Sequence, residues 1–224
     1  MTNRYRPQAE DPDQLALRVG QLHDQLRLAN PKKLATNTGV TYLPADPQRG
    51  TFYLPLWGQA ISLTYPEFTG RDARTGELLS TFSQALLAYY FTISDGTPPT
   101  GKWISFSELP EGRFYSQAFQ GYTGGELAKI FGDDEEGFAR ASARAGGQPP
   151  HLEKVLGDQA FSFRVLPRVS LLAVCWLGDE DFPSSFNILF DAAVSHHLST
   201  DACAIVGGTL TRRLIKNYQA MKGH

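Results

Sequence analysis

Apolar positions along this chain change period several times. Leu15, Val19, Leu22, Leu26 and Ala29 recur at helical spacing. Asp11 is placed to cap that helix, Pro12 to take its first position and Gln14 to complete a capping box, and Asn30-Pro31 ends it. Thr38–Leu43 then reads as extended, before the turn residues Pro44, Asp46, Pro47 and Gly50. Thr51–Leu56 and Ala60–Thr64 are β-branched and aromatic runs around Trp57-Gly58-Gln59, which predicts a hairpin. Leu78, Phe82, Leu86, Tyr89 and Tyr90 restore helical spacing over Glu77–Ile93.

Ser94-Asp95-Gly96-Thr97-Pro98-Pro99-Thr100-Gly101 is the strongest break. It reads as a loop within a single domain over 1–224, the alternative being a division into two lobes near 94–101. Beyond it, Lys102–Ser107 is a predicted strand and Arg113–Gln120 a further extended run. Thr123-Gly124-Gly125-Glu126 is a capping box opening a helix through Leu127, Ile130 and Phe131. Asp133–Ala145 is a second helix with acids in its first turn, ended by Gly146-Gly147-Gln148-Pro149-Pro150. Phe161–Leu166 and Val169–Leu177 are strands joined at Pro167-Arg168, and the second is apolar enough to be central and buried on both faces. Asn187–Phe190 is a short apolar run of either type, and Thr200–Tyr218 is a closing helix. Strands and helices mix without a βαβ rhythm, so the fold class is α+β: a mixed, mainly antiparallel sheet with helices packed on it.

Composition narrows the function classes. A chain of 224 residues with 42% hydrophobic and 20% charged residues is globular. A net charge of -2 removes the electrostatic case for a nucleic-acid partner. The N-terminal stretch lacks the apolar core of a signal peptide, and no apolar run approaches a bilayer span, so a cytoplasmic chain without a membrane partner is expected. Cys175 and Cys203 lie in apolar stretches without C-x-x-C spacing, which predicts buried, reduced thiols.

The common phosphate-loop, serine-hydrolase, zinc-protease and dinucleotide motifs are missing. Gly121-Tyr122-Thr123-Gly124-Gly125 at a helix start could cradle an anion, but no basic residue follows until Lys129 and Glu126 competes for the same amides, so a turn with a capping box is the preferred reading. The densest polar feature is Gly178-Asp179-Glu180-Asp181-Phe182-Pro183-Ser184-Ser185, followed by Asp191 and His196-His197. Adjacent carboxylates repel unless solvated or neutralised, so a cation or an arginine is their natural complement. Oxygen ligands suit Ca²⁺ or Mg²⁺, and an added imidazole Mn²⁺ or Fe²⁺. Asp179, Glu180, Asp191, Arg168, His196 and His197 are therefore the candidate ligand-binding residues. Against that stand a solvated loop, Asp191 as a cap for a helix starting at Ala192, Arg168 as an internal ion-pair partner, and a structural histidine with the other in solvent.

The stretches Gly101–Pro110, Val165–Val169 and Trp176–Pro183 through Leu189-Phe190-Asp191 resemble a domain-of-unknown-function family of anaerobic bacteria and archaea, over roughly residues 25–218. Some relatives resemble fusions to a small iron–sulfur module similar to that of corrinoid iron–sulfur proteins; this chain lacks the four cysteines such a cluster needs. The resemblance implies a link to anaerobic cofactor or one-carbon metabolism and carries over no catalytic residue. The reading is thus a domain that binds a small molecule, a cofactor or a partner protein, with unknown cofactor and oligomeric state. The alternative is a metal-dependent enzyme centred on 179–197.

Overall fold

The computed structural model describes residues 12–150 and 156–223. The chain parts into two compact units. The first runs to Thr97 and includes His196–Leu198; the second is Pro98–Ser195 with the chain from Ser199 onward. Each carries one four-stranded antiparallel sheet, so the α+β class holds, with its strands split between two sheets.

In the first unit α1 (Pro12–Leu26) stops short of Ala29. Asn30-Pro31 then does more than end a helix. The Asn30 side chain accepts the Lys32 and Lys33 amides at 2.9 and 3.2 Å, and Pro31 begins α2 (Pro31–Thr38), whose last residue was expected to open the extended run. The predicted Asp11 cap lies outside the described residues. The meander β1 (Thr41–Pro44), β2 (Gly50–Leu56), β3 (Gln59–Tyr65) and β4 (Gly70–Asp72) follows in chain order. The β2–β3 turn is Trp57-Gly58 alone, with φ of 53° and 78°; two positive values match the right-handed strand twist, as a two-residue hairpin requires. Alternation along β2 buries Phe52, Leu54 and Leu56. Helix α3 (Thr81–Ile93) starts later than its pattern predicts, because Leu78 bridges to Arg71 and Ser80 caps Ser83. Its Phe91 meets Phe52 with ring centroids 4.9 Å apart, edge to face.

In the second unit the sheet order is β5–β8–β7–β6. Only Trp103–Ile104 of the predicted Lys102–Ser107 strand pairs, as β5; Ser105 then starts a 3-10 turn over Phe106–Glu108. Arg113–Gln120 was expected to be extended and is instead a 3-10 turn over Gly112–Phe114 leading into α4 (Ser116–Tyr122). Tertiary packing decides this: Phe119 stacks on Phe106 at 4.2 Å and must face inward at helical spacing. The Thr123 capping box does not form either. Helix α4 runs almost directly into α5 (Gly124–Phe131), so the Thr123 hydroxyl donates back to the Phe119 carbonyl at 2.6 Å, and Glu126 pairs with Lys129 at 2.7 Å. Helix α6 (Glu135–Arg144) is capped by Asp134, whose side chain accepts the Gly137 amide at 2.9 Å.

The strands β6 (Gln159–Leu166) and β7 (Val169–Trp176) agree with their sequence patterns, β8 (Ser185–Asp191) makes a strand of the run that the sequence left open, and β7 is central and buried on both faces. One face of this sheet carries Phe161, Phe163, Cys175, Phe186, Ile188 and Phe190. Phe138 of α6 packs edge-on against Phe161 and Phe186, and Phe131 of α5 lies 4.4 Å from Tyr218 of α7 (Thr200–Lys222). Burying each phenyl ring contributes about 1.5–3 kcal/mol.

Cys175 and Cys203 are both free and buried. Burial pushes the Cys175 thiol up to about 11, with Asp158, Glu135 and Asp133 adding to the shift, and burial alone raises Cys203. Folded protein kept from air should therefore react negligibly with a thiol-specific dye and release two equivalents on unfolding in denaturant. Titration that recovers none after unfolding would reveal a bridge instead.

Candidate functional site

Strand β8 separates the residues that the sequence groups together. Asp179 and Glu180 lie in the loop that enters it, and Asp191 closes it. At about 3.3 Å per residue the strand alone puts about 20 Å between the two ends. Arg168 sits in the two-residue turn between β6 and β7. Leu171 pairs with Phe190, so that turn lies toward the Asp191 end. Arg168 is half-buried and already engaged, and it forms no ion pair with Asp179, Glu180 or Asp191. His196 and His197 belong to the first unit. Asp179 and Glu180 therefore do not converge with Asp191 or Arg168. Among the described residues no group of three or more His, Cys, Asp or Glu side chains could hold a metal ion.

Each of these side chains has a local occupation. Asp191 is only 2% exposed. Its oxygens accept the Thr100 amide at 3.0 Å, the Gly101 amide at 2.7 Å, the Thr100 hydroxyl at 3.1 Å and the Ala193 amide at 2.9 Å. It therefore organises two turns, where the sequence suggested a helix cap. His197 is the buried histidine of the pair. Its Nε2 lies 2.8 Å from the Thr97 carbonyl, which can only accept, so Nε2 carries the proton in the neutral ring and Nδ1 accepts from the Ser94 hydroxyl at 3.1 Å. His196 is exposed and its Nδ1 lies 2.7 Å from Asp95 Oδ2. The Thr97 amide and then this imidazole hold the Asp95 carboxyl well below the usual range. The sequence does not link Ser94-Asp95 to His196-His197, since each doublet only acquires its partner a hundred residues away through folding.

The acidic loop has a defined shape. Asp179 accepts the Asp181 and Phe182 amides at 2.9 and 2.8 Å, and its own amide donates to the Phe182 carbonyl at 2.9 Å. Two more carboxylates, invisible as loop anchors in the sequence, tie its base: Asp158 accepts the Leu177 amide at 2.7 Å and Asp133 the Gly178 amide at 2.8 Å. Phe182 is held out at 71% exposure. Between it and the sheet lies an open groove of about 470 Å³, lined by Trp176, Leu177, Phe182, Pro183, Ser185 and Asn187. Trp176 pairs across the strands with Ser185, and Val174 with Asn187, so Trp176, Ser185 and Asn187 share the sheet face opposite the one that carries α5 and α6. A second open cleft, of about 640 Å³, lies beside Glu108, Glu111, Arg113 and the exposed Phe114.

A family model described as a domain of unknown function, DUF3786, matches residues 30–213. The chain belongs to this family. No curated protein and no solved structure matches it. The DUF3786 match spans both units, including the Asp191 turns, the two histidines and the Phe182 groove. Among the described residues no helix is long and apolar enough to cross a membrane.

Proposed function

We propose that this DUF3786 protein is a binding domain that holds a partner in the Trp176–Phe182 groove and performs no chemistry on it. The observation that carries this reading is Phe182. A phenyl ring left 71% exposed on a loop fixed by three carboxylates gives the fold little by its own burial, while covering it on association would contribute about 1.5–3 kcal/mol. The groove is the size of a small-ligand or side-chain site and is already formed. The same proposal sets the protein in the cytoplasm of an anaerobe, near cofactor or one-carbon metabolism, on the resemblance of its motifs.

Phe182→Ser tests the reading. An exposed ring without structural duty predicts a stability change within about 0.5 kcal/mol in urea unfolding. Benzyl alcohol, a neutral aromatic probe, should give saturation-transfer NMR signals with the parent protein that weaken in Phe182→Ser. Equal signals in both proteins, or none in the parent, would end this assignment.

A further inference from the structure

Deepening that reading and resting on it, we infer that the groove takes a basic peptide segment of a partner protein, with an aromatic or aliphatic side chain seated against Trp176 and Phe182 and Lys or Arg on its flanks. The walls supply the apolar part: Trp176 from the sheet, Phe182 and Pro183 from the loop. The floor supplies polar groups suited to a peptide unit. The Asn187 amide offers both a donor and an acceptor and the Ser185 hydroxyl offers either, and neither side chain has a hydrogen-bond partner among the described residues.

The loop that carries Phe182 and Pro183 into the groove is acidic. Asp179, Glu180 and Asp181 are consecutive in its wall loop. Asp133 and Asp158 bind the loop's base. None of these has an ion-pair partner among the described residues. The described cations of this unit that do form pairs neutralise other acids: Lys129 with Glu126, Arg140 with Glu136 and Lys222 with Asp134. An apolar slot beside a loop of carboxylates without ion-pair partners disfavours an acidic or phosphorylated segment and favours a basic one.

Titration calorimetry with synthetic heptapeptides tests this. The first has a central Phe flanked on both sides by Lys and Arg; the second replaces the flanks with Glu; the third keeps the basic flanks and replaces Phe with Ser. The first should bind, and the other two should bind at least about tenfold more weakly. Glu180→Gln with Asp181→Asn should weaken the first by about three- to tenfold and reduce its salt dependence. Equal binding of the basic and acidic Phe peptides would overturn the charge inference and leave the groove reading intact, provided Phe182→Ser abolishes both. Equal binding of the Phe- and Ser-centred basic peptides, or binding indifferent to Phe182→Ser, would overturn the inference in favour of attraction by the acids alone. Benzyl alcohol contact without peptide binding would likewise sink the inference alone; with neither, the groove reading falls too.

Discussion

Asp191→Ala should destabilise the second unit by about 3–5 kcal/mol, the largest effect expected of any polar substitution in the acidic region. The carboxylate is buried and its two oxygens take the amides of Thr100, Gly101 and Ala193 together with the Thr100 hydroxyl. Alanine removes every acceptor and leaves those donors facing a void. Each unsatisfied buried donor costs about 1–3 kcal/mol, offset where water can enter. The damage should spread to β5. Trp103 pairs with Asp191 itself, and the Lys102 carbonyl takes the Ala192 amide at 2.8 Å, so this two-residue strand depends on the turns that the carboxylate holds. Asp191→Asn keeps one oxygen but turns an NH₂ group toward amide donors, and should cost about 2–3 kcal/mol. Asp181→Asn, on an exposed carboxylate, should stay within about 0.5 kcal/mol. Urea unfolding measures all three, and hydrogen exchange at Thr100, Gly101 and Ala193 localises the loss. An Asp191→Ala protein within about 1 kcal/mol of the parent would refute the anchoring role.

Where one periodicity dominated, the sequence was legible. The apolar run at Val169 could only be a strand buried on both sides, and the alternating residues of Thr51–Leu56 set one face of the meander inward. Asn30-Pro31 shows the limit of reading punctuation one way. The pair stops one helix, and its cap-and-proline chemistry also starts the next; the start signal was present and outweighed by the stop. Residues 113–120 failed for another reason. Phe114 and Tyr115 favour strand locally, but Phe119 has to reach the Phe106 and Phe190 rings, and that non-local demand selects a helix.

The candidate site was legible as a loop and illegible as a constellation. Asp179-Glu180-Asp181 and Phe182 are conspicuous in sequence, and the loop they form is the wall of the groove. Asp191, Arg168 and the histidines joined that grouping through complementary chemistry and nearness in sequence, neither of which carries the three-dimensional distance. Strand β8 runs straight between Asp179-Glu180 and Asp191 and keeps them apart by its own length. Conversely, Asp133 and Asp158 reach the loop from distant segments, and neither sits in a motif that predicts it.

Opposite effects are expected from alanine at two glycines of the Gly121–Gly125 segment, which the sequence allowed to be an anion cradle. A β-carbon on Gly124 would stand 1.9 Å from the Phe186 carbonyl oxygen and 2.3 Å from the Gln120 side-chain amide nitrogen. The carbonyl is strand backbone and itself accepts that amide at 2.8 Å, so it cannot yield without moving β8. Helix α5 would have to lift from the sheet, loosening the contacts that Leu127 and Phe131 make beneath it, at a cost of about 3 kcal/mol or more. Gly121, three residues earlier, is exposed in α4 with nothing within 4 Å of its missing β-carbon. There alanine only removes backbone freedom from the unfolded chain and should stabilise by about 0.5–1 kcal/mol. The contrast separates close packing from ligand cradling: a phosphate site would make Gly121→Ala and Gly124→Ala differ in inorganic phosphate-dependent melting, whereas packing makes them differ in phosphate-free buffer. Thermal melts with and without phosphate decide it, and near-equal melting temperatures in its absence would show that α5 does not need the close approach to Phe186.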